Sequence, residues 1–183
     1  ADGQGTQAPL NLCFVLDRSG SMMGMPLKTV KEAANRIVER LTERDRISII
    51  AFDHKAKVLV ENQPATDIEA IQKKINSLQA GGGTSIDDGL KAGIEQLATG
   101  KEDHVSQLLL LTDGENEHGD NARAQKLASV ATGYNLTINA LGFGDHWNQD
   151  VLEQIADEGG GSLSYIEHAE EAISTFGRLF ARM

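Results

Sequence analysis

Short apolar stretches alternate with helical patterns along the whole chain, and this alternation limits the possible folds more than any other feature of the sequence. Between the apolar stretches, hydrophobic residues recur at spacings of three and four, as on the buried face of an α-helix. Parallel strands need long crossover connections, and the helical segments supply them. The pattern therefore predicts an α/β fold with a doubly wound sheet and helices on both of its faces. The predicted strands are residues 10–16, 47–52, 55–60, 105–111, 136–141 and 162–166.

One predicted strand, residues 55–60, departs from the parallel arrangement. It alternates charged and apolar side chains, which is typical of a strand at the edge of a sheet. Only Asp53 and His54 separate it from the strand before it, and so short a connection joins antiparallel strands. We therefore expect a hairpin that places one antiparallel strand at the edge of the sheet.

The chain of 183 residues has the size of one ordinary domain. Because the pattern begins at Leu10, we expect residues 1–9 to be a polar N-terminal extension and residues 10–183 to form a single domain. Residues 1–7 have neither the basic nor the apolar region of a signal peptide, and no apolar run is long enough to span a membrane. The chain also begins without Met, and we interpret it as a monomeric domain of a larger protein whose compartment stays open.

The formal net charge of −10 restricts the partners that the domain can have. Nucleic acids and anionic membranes attract basic patches, so we expect neither of them as a partner. An acidic chain suits a protein that handles cations or basic surfaces, although acidity also simply keeps many proteins dispersed. The single cysteine, Cys13, lies in an apolar stretch, where we expect it to be a small buried hydrophobic side chain.

Oxygen-bearing side chains follow two of the predicted strands. Asp17, Ser19 and Ser21 follow the first strand at every second position, so they can point the same way, and Asp113 follows the strand at residues 105–111. In open α/β sheets, ligands bind beyond the carboxyl ends of the strands, where the strand order reverses. If these two strands are neighbours, Asp17 and Asp113 face each other and repel unless a proton or a cation lies between them.

The residue types in this cluster favour a metal ion. Carboxylates and hydroxyls are hard oxygen ligands, the set that Mg²⁺, Mn²⁺ and Ca²⁺ prefer. No Cys or His accompanies the cluster, which argues against zinc. Ser and Asp also cap helices and form turns, but their joint arrangement at the strand ends favours a ligand site. The residues themselves thus predict a divalent metal site where the strand order reverses.

Three segments of the sequence together resemble the metal-ion-dependent adhesion site (MIDAS) of the von Willebrand factor type A domain. They are the Asp-x-Ser-x-Ser segment at residues 17–21, the glycine-rich loop that carries Thr84, and the Thr-Asp-Gly segment at residues 112–114. The resemblance covers nearly the whole chain from Leu10 to the terminal helix, and all five site positions are filled. It implies the Rossmann-like fold of that family, a mostly parallel six-stranded sheet with one antiparallel edge strand and helices on both faces.

The resemblance also implies a set of ligands and a function. By this resemblance, Ser19, Ser21 and Thr84 would supply hydroxyl oxygens to one divalent cation, and Asp17 and Asp113 would supply carboxylates directly or through water. Mg²⁺ is the expected ion, with Ca²⁺ and Mn²⁺ as alternatives. One coordination position would stay open for an Asp or Glu side chain of a protein partner. The implied function is a metal-dependent protein-binding module for adhesion or interaction.

The alternative function within the same family is a domain or subunit of an ATP-driven, chelatase-like machine, itself non-catalytic, which flanking sequence would reveal. We expect no catalytic residues. A phosphatase that forms an aspartyl phosphate needs a second carboxylate two residues after Asp17, where this chain has Ser19. The histidines are scattered outside any Gly-x-Ser-x-Gly setting. The loop at residues 81–85 lacks the Gly-Lys-Ser/Thr ending of a phosphate-binding loop.

Two further groups of residues lie near the predicted site. Met22, Met23 and Met25 either form an adaptable contact rim or pack the loop that contains them. Acidic residues on the same side are candidates to hold metal-bound water. These candidates are Asp87, Glu115 and Asp145.

Overall fold

The structure is a computed structural model that describes residues 8–99, 103–114, 116, 119–143 and 148–180. Apolar segments form six strands in this part of the chain: β1 (Leu10–Asp17), β2 (Arg46–Phe52), β3 (Ala56–Pro64), β4 (Val105–Thr112), β5 (Leu136–Gly142) and β6 (Gly160–Tyr165). The helices are α1 (Met25–Val38), α2 (Ile68–Asn76), α3 (Ile86–Leu97), α4 (Asn121–Gly133), α5 (Gln149–Glu158) and α6 (Glu171–Phe180). A short 3-10 turn at Gly20–Met22 lies between β1 and α1.

The strands form one sheet in the order β3-β2-β1-β4-β5-β6. β1 pairs in parallel with β2 on one side and with β4 on the other, and β5 and β6 continue the parallel pairing. β3 is antiparallel to β2 and lies at the edge. These findings confirm the predicted α/β sheet with one antiparallel edge strand. The strand order reverses between β1 and β4, which is where open α/β sheets bind ligands.

Helices cover both faces of the sheet, and β1 is buried on both sides. Alternate residues of a strand point to opposite faces. Leu12, Phe14 and Leu16 belong to the core cluster that contains α1, α2 and α6, while Cys13 and Val15 belong to the cluster that contains α3, α4 and α5. Burial raises the pKa of the Cys13 thiol to about 12, so this side chain is a neutral core group. Among the described residues, none of the helices has the length and apolar surface that crossing a bilayer needs.

The edge strand extends further than its pattern predicts. β3 continues to Pro64, beyond the predicted end at residue 60. The polar residues there break the alternation, but Asn62 is held in place by its neighbours. Its backbone N–H donates to Oε1 of Gln96 at 2.8 Å, and its Nδ2 donates to Oδ1 of Asn11 at 2.8 Å. Contacts between segments that are far apart in the sequence therefore stabilise the end of β3, and a local pattern does not contain them.

Two glycines let α3 lie directly on the sheet. A Cβ atom built on Gly89 would lie 2.8 Å from Cδ1 of Phe52, and one built on Gly93 would lie 2.8 Å from Cγ2 of Val15. Packed carbon atoms do not approach so closely, so a side chain at either position would push the helix away from the strands. The first turns of α3 are thereby held against β1 and β2, next to the loop that carries Thr84.

We predict that Gly93→Ala destabilises the domain by about 1–3 kcal/mol, because the added methyl group overpacks the space between α3 and β1. In an exposed helix interior, the same substitution would instead stabilise by about 1 kcal/mol. Urea unfolding followed by circular dichroism measures the difference. The matched control is Gly133→Ala, because nothing lies within 4 Å of a Cβ atom at that position. An unchanged urea midpoint for Gly93→Ala would contradict the packing argument.

Candidate metal centre

Asp17, the last residue of β1, is fully buried, and the protein orients both of its carboxylate oxygens. The backbone N–H of Ser19 donates to Oδ1 at 2.8 Å, and the hydroxyl of Thr112 donates to Oδ2 at 2.6 Å. Thr112 is the last residue of β4, and its hydroxyl also accepts from the N–H of Gly114 at 3.0 Å. One side chain thus joins the carboxyl ends of the two central strands.

A second carboxylate lies near this buried one. Burial raises the pKa of Asp17 to about 6, the hydrogen bonds from Ser19 and Thr112 oppose this rise, and the negative charge of Asp113 adds to it. Asp113 directly follows β4 and is itself buried, with 5% of its surface exposed. The parallel register of β1 and β4 places the ends of these strands side by side. Two buried negative charges in one place favour a bound cation.

The turn after β1 places two hydroxyls together. The Oγ atoms of Ser19 and Ser21 lie 3.0 Å apart, and Ser19 is buried whereas Ser21 is exposed. The N–H of Met22 closes the turn by donating to the carbonyl of Ser19 at 2.9 Å. Met22 is fully buried, whereas Met23 and Met25 are 68% and 67% exposed. Met22 therefore packs the loop, whereas Met23 and Met25 are exposed, and their role as a contact rim stays a prediction.

The glycine-rich loop is joined to this turn by two backbone hydrogen bonds. The N–H of Gly20 donates to the carbonyl of Gly82 at 3.0 Å, and the N–H of Gly81 donates to the carbonyl of Arg18 at 2.8 Å. Gly82 has a φ of +87°, and a Cβ atom there would lie 3.0 Å from a neighbouring carboxylate oxygen, so this position favours glycine. Thr84 follows the loop and is buried, with 2% of its surface exposed. The loop thus brings Thr84 to the same edge of the sheet.

The five residues predicted as metal ligands therefore lie on three segments that hydrogen bonds connect at one edge of the sheet. They offer two carboxylates and three hydroxyls, and they are Asp17, Ser19, Ser21, Thr84 and Asp113. Among the described residues, no group of three or more His, Cys, Asp or Glu side chains is arranged to hold a metal ion. A metal centre at this edge would accordingly depend on hydroxyl oxygens as well as on carboxylates.

Asp87, predicted to hold metal-bound water, is buried, and its carboxylate accepts three hydrogen bonds from the protein. The donors are the hydroxyl of Ser85 at 3.1 Å, the N–H of Asp120 at 3.0 Å and the guanidinium of Arg123 at 2.8 Å. Asp87 thereby joins the start of α3 to the start of α4. Its role toward a metal-bound water stays a prediction.

The sequence patterns did not indicate the ion pairs of Arg123. Its guanidinium also donates to Asp88 at 3.0 Å. Partial burial alone would raise the pKa of Asp88, but hydrogen bonds from Ser85 and Arg123 hold that pKa below its ordinary value. The one local sequence feature that bears on the position of Arg123 is Asp120. Its side chain caps α4 by accepting from the N–H of Arg123 at 3.1 Å.

Several residues considered in the sequence lie elsewhere or outside the described residues. His104, at the amino end of β4 and thus at the opposite edge of the sheet, contacts Asp103 at 2.8 Å and the carbonyl of Arg44 at 3.0 Å. Four acidic or histidine residues of the loops near the predicted site lie outside the described part of the chain, namely Glu115, His118, Asp145 and His146. Glu115 and Asp145 therefore remain predictions for holding metal-bound water.

Comparison with known proteins shows one family across almost the whole chain. The family model of the von Willebrand factor type A domain matches residues 11–178. The chain is 61% identical over its full length to an uncharacterized protein of Synechocystis sp., of which it covers 44%. It is 34% identical, over 90% of its length, to inter-alpha-trypsin inhibitor heavy chain H3 of Homo sapiens, of which it covers 20%. The chain thus spans less than half the length of these relatives.

Solved structures share the fold at low sequence identity, and at such identity they show the fold alone. A von Willebrand factor type A protein from Catenulispora acidiphila has a TM-score of 0.83 and 23% identity, over 96% of this chain and 42% of that one. A manganese-loaded TRAP protein of Plasmodium vivax has a TM-score of 0.80 and 19% identity, over 96% and 75%. Proximal thread matrix protein 1 of the mussel byssus, with a zinc-occupied MIDAS motif, has a TM-score of 0.75 and 21% identity, over 95% and 48%. Because the family match extends over residues 11–178 and the sheet has the corresponding topology, this chain belongs to the von Willebrand factor type A domain family.

Proposed function

We propose that this domain binds one divalent cation at the edge formed by Asp17 and Asp113, and that the ion engages an acidic side chain of a partner protein. The observation that carries the proposal is the burial of Asp17 beside a second carboxylate, where the strand order reverses. Two such charges repel, and a divalent ion between them replaces the repulsion by attraction. The domain is a binding module in this proposal and does not itself catalyse a reaction.

The donor set fits a hard cation. The hydroxyls of Ser19, Ser21 and Thr84 would bind it, and Asp17 and Asp113 would contribute carboxylates directly or through water. Because only two carboxylates belong to the proposed set, they neutralise the charge of a divalent ion and no more. The ion then keeps enough positive character to accept a carboxylate from outside. The exposure of Ser21 supports an open side from which such a group can approach.

The identity of the ion is part of the proposal. Mg²⁺ is our first assignment, with Ca²⁺ and Mn²⁺ as alternatives, because all three prefer oxygen ligands. Structures of the same fold are described as manganese-loaded and as holding zinc in a MIDAS motif. Zinc therefore belongs among the ions to be tested, although the proposed ligand set contains neither Cys nor His, which argues against it.

The partner that fits this site is a protein that presents Asp or Glu. The net charge of −10 argues against nucleic acid as the partner. The exposed side chains of Met23 and Met25 offer adaptable apolar contacts beside the proposed open side. We also propose that residues 10–183 form a single domain, which the family match over residues 11–178 supports. In this proposal the domain is monomeric and belongs to a longer protein, and the relatives of which the chain covers 44% and 20% support the latter.

We predict that the wild-type domain binds one Mg²⁺ ion and that Asp17→Ala and Asp113→Ala each weaken this binding by at least about tenfold, because each removes one of the two carboxylates. Isothermal titration calorimetry on chelator-treated protein measures the affinities for Mg²⁺, Ca²⁺, Mn²⁺ and Zn²⁺. The control Asp157→Ala removes an exposed carboxylate from the far end of α5 and should leave them unchanged. Unchanged affinity in both site variants would refute the assignment of the ligands.

We predict that the metal-free domain loses stability as the pH rises, because the pKa of Asp17 is about 6 in the folded protein against an ordinary value of 3.8. Folding favours the protonated carboxyl, so this contribution to stability is fully present below about pH 4 and is lost as the pH rises through about 6. Asp17→Asn mimics the neutral form and should stabilise the metal-free domain at about pH 7.5 by up to about 3 kcal/mol, with no gain near pH 4. Urea unfolding in EDTA at both pH values measures this. A gain that is the same at both would disprove the explanation.

We predict that the Mg²⁺-loaded domain binds a capped Gly-Glu-Gly peptide more tightly than a capped Gly-Gln-Gly peptide, because only the carboxylate can complete the coordination of the ion. Titration of the ¹⁵N-labelled domain should shift the amide signals of Gly20, Ser21 and Thr84 with the Glu peptide. Addition of EDTA or the substitution Asp113→Ala should abolish these shifts. Equal shifts with both peptides, or shifts that persist in EDTA, would count against the proposed function.

A further inference from the structure

An open cleft of about 550 Å³ lies beside the candidate metal centre, between the β2–β3 hairpin and the end of α2. Its floor is apolar and contains Ala51, Leu59 and Leu78, which belong to the core cluster on this face of the sheet or pack against it. Its rim contains Lys55 and Lys57. The cleft thus combines an apolar floor with a cationic rim.

The two lysines give the cleft a local positive charge, although the chain as a whole has a net charge of −10. Both are exposed, and neither forms an ion pair with any residue that the structure describes. Lys55, Lys57 and Leu59 all line this cleft, and Lys57 pairs across the hairpin with Ala51 of the cleft floor. The two ammonium groups are therefore available to an anionic ligand above the apolar floor.

Arg18 forms the wall between this cleft and the candidate metal centre. It directly follows Asp17 in the chain, and its side chain lines the cleft. Its guanidinium donates to Oδ2 of Asp53 at 2.8 Å and to the carbonyl of Gln79 at 2.8 Å. These contacts fix the side chain of Arg18. Lys55 and Lys57 are therefore the cationic side chains of the cleft lining that form no ion pair with a described residue.

The sheet register gives the separation between the backbone at Asp17 and the backbone at the start of β3. Asp17 pairs with Phe52 of β2, and Phe52 pairs with Ala56 of β3. Two strand spacings therefore separate Asp17 from Ala56, which is about 10 Å. Lys55 and Lys57 flank Ala56 in the chain. Because an extended peptide advances about 3.3 Å per residue, about three residues of a bound peptide would cover this backbone separation.

We infer that this cleft is a second subsite for an acidic, extended segment of the partner protein. One carboxylate of that segment reaches the bound metal, and a second one, about three residues along the chain, pairs with Lys55 and Lys57. An apolar side chain next to the second carboxylate covers the floor of the cleft. The inference rests on the proposed function, because the metal ion anchors the first carboxylate. The recognised element is then a pair of acidic residues at a defined spacing.

Two capped peptides that differ in one group test this inference. They are Gly-Glu-Gly-Ser-Glu-Leu-Gly and the same peptide with Gln in place of the second Glu. Titration of the ¹⁵N-labelled domain in Mg²⁺ gives both dissociation constants for the wild type and for Lys55→Gln/Lys57→Gln. The matched control, Arg36→Gln/Arg40→Gln, removes the same charge from exposed positions near the end of α1, at the opposite edge of the sheet.

We expect the second carboxylate to tighten binding to the wild type roughly three- to tenfold, the effect of two exposed ion pairs. The lysine variant should lose this advantage, and the arginine variant should keep it. Equal affinity of the two peptides for the wild type, or an advantage that survives in the lysine variant, overturns the inference. Metal-dependent binding of both peptides in that case leaves the proposed function intact.

Repeating the titrations in EDTA separates the two proposals. Loss of binding of both peptides in EDTA, together with the lysine-dependent advantage in Mg²⁺, supports both of them. Lysine-dependent binding that is unchanged in EDTA overturns the proposed function and with it the two-point recognition. Absence of binding by either peptide at millimolar concentration overturns both.

Discussion

The buried carboxylate of Asp17 is the interaction on which this edge of the domain depends. Folding brings it into the interior at the end of the central strand, where its charge costs free energy unless hydrogen bonds or a counter-charge compensate it. The protein supplies donors from Ser19 and Thr112, and the same hydrogen bonds join β1 to the turn that follows it and to β4. A group that is unfavourable by itself thereby aligns the segments of the candidate metal centre.

The sheet and the position of Asp17 and Asp113 at one of its edges could be predicted because their signals are local, whereas Thr84 was assigned through the family resemblance. Strand periodicity and a short connection indicated the antiparallel edge strand, and strand ends that meet at one edge indicated Asp17 and Asp113. The end of β3 and the ion pair of Arg123 with Asp87 could not be predicted. These rest on hydrogen bonds between residues 34 and 36 positions apart in the sequence, and no local pattern reports such contacts.

An acidic domain that binds an acidic segment has to overcome its own charge. At long range, a net charge of −10 repels such a segment, and only the proposed ion and the basic rim of the cleft oppose this repulsion at close range. Salt screens the exposed, distant charges first, because the Debye length is about 8 Å at physiological ionic strength. The sign of the local charge, and not that of the whole domain, therefore decides which partner fits.

The glycines at positions 89 and 93 have a consequence for how the two halves of the site respond to a ligand. At these two positions α3 lies in direct contact with the side chains of Phe52 and Val15, so α3 has little free space in which to tilt or slide without losing its packing. Thr84, at the entry to α3, therefore belongs to a fixed wall. Ser21 and Met23 lie in an exposed turn, and they have room to adjust. Thr84 would then restrict the shape of a ligand on one side of the opening. Ser21 and Met23 would adapt to the ligand on the other side.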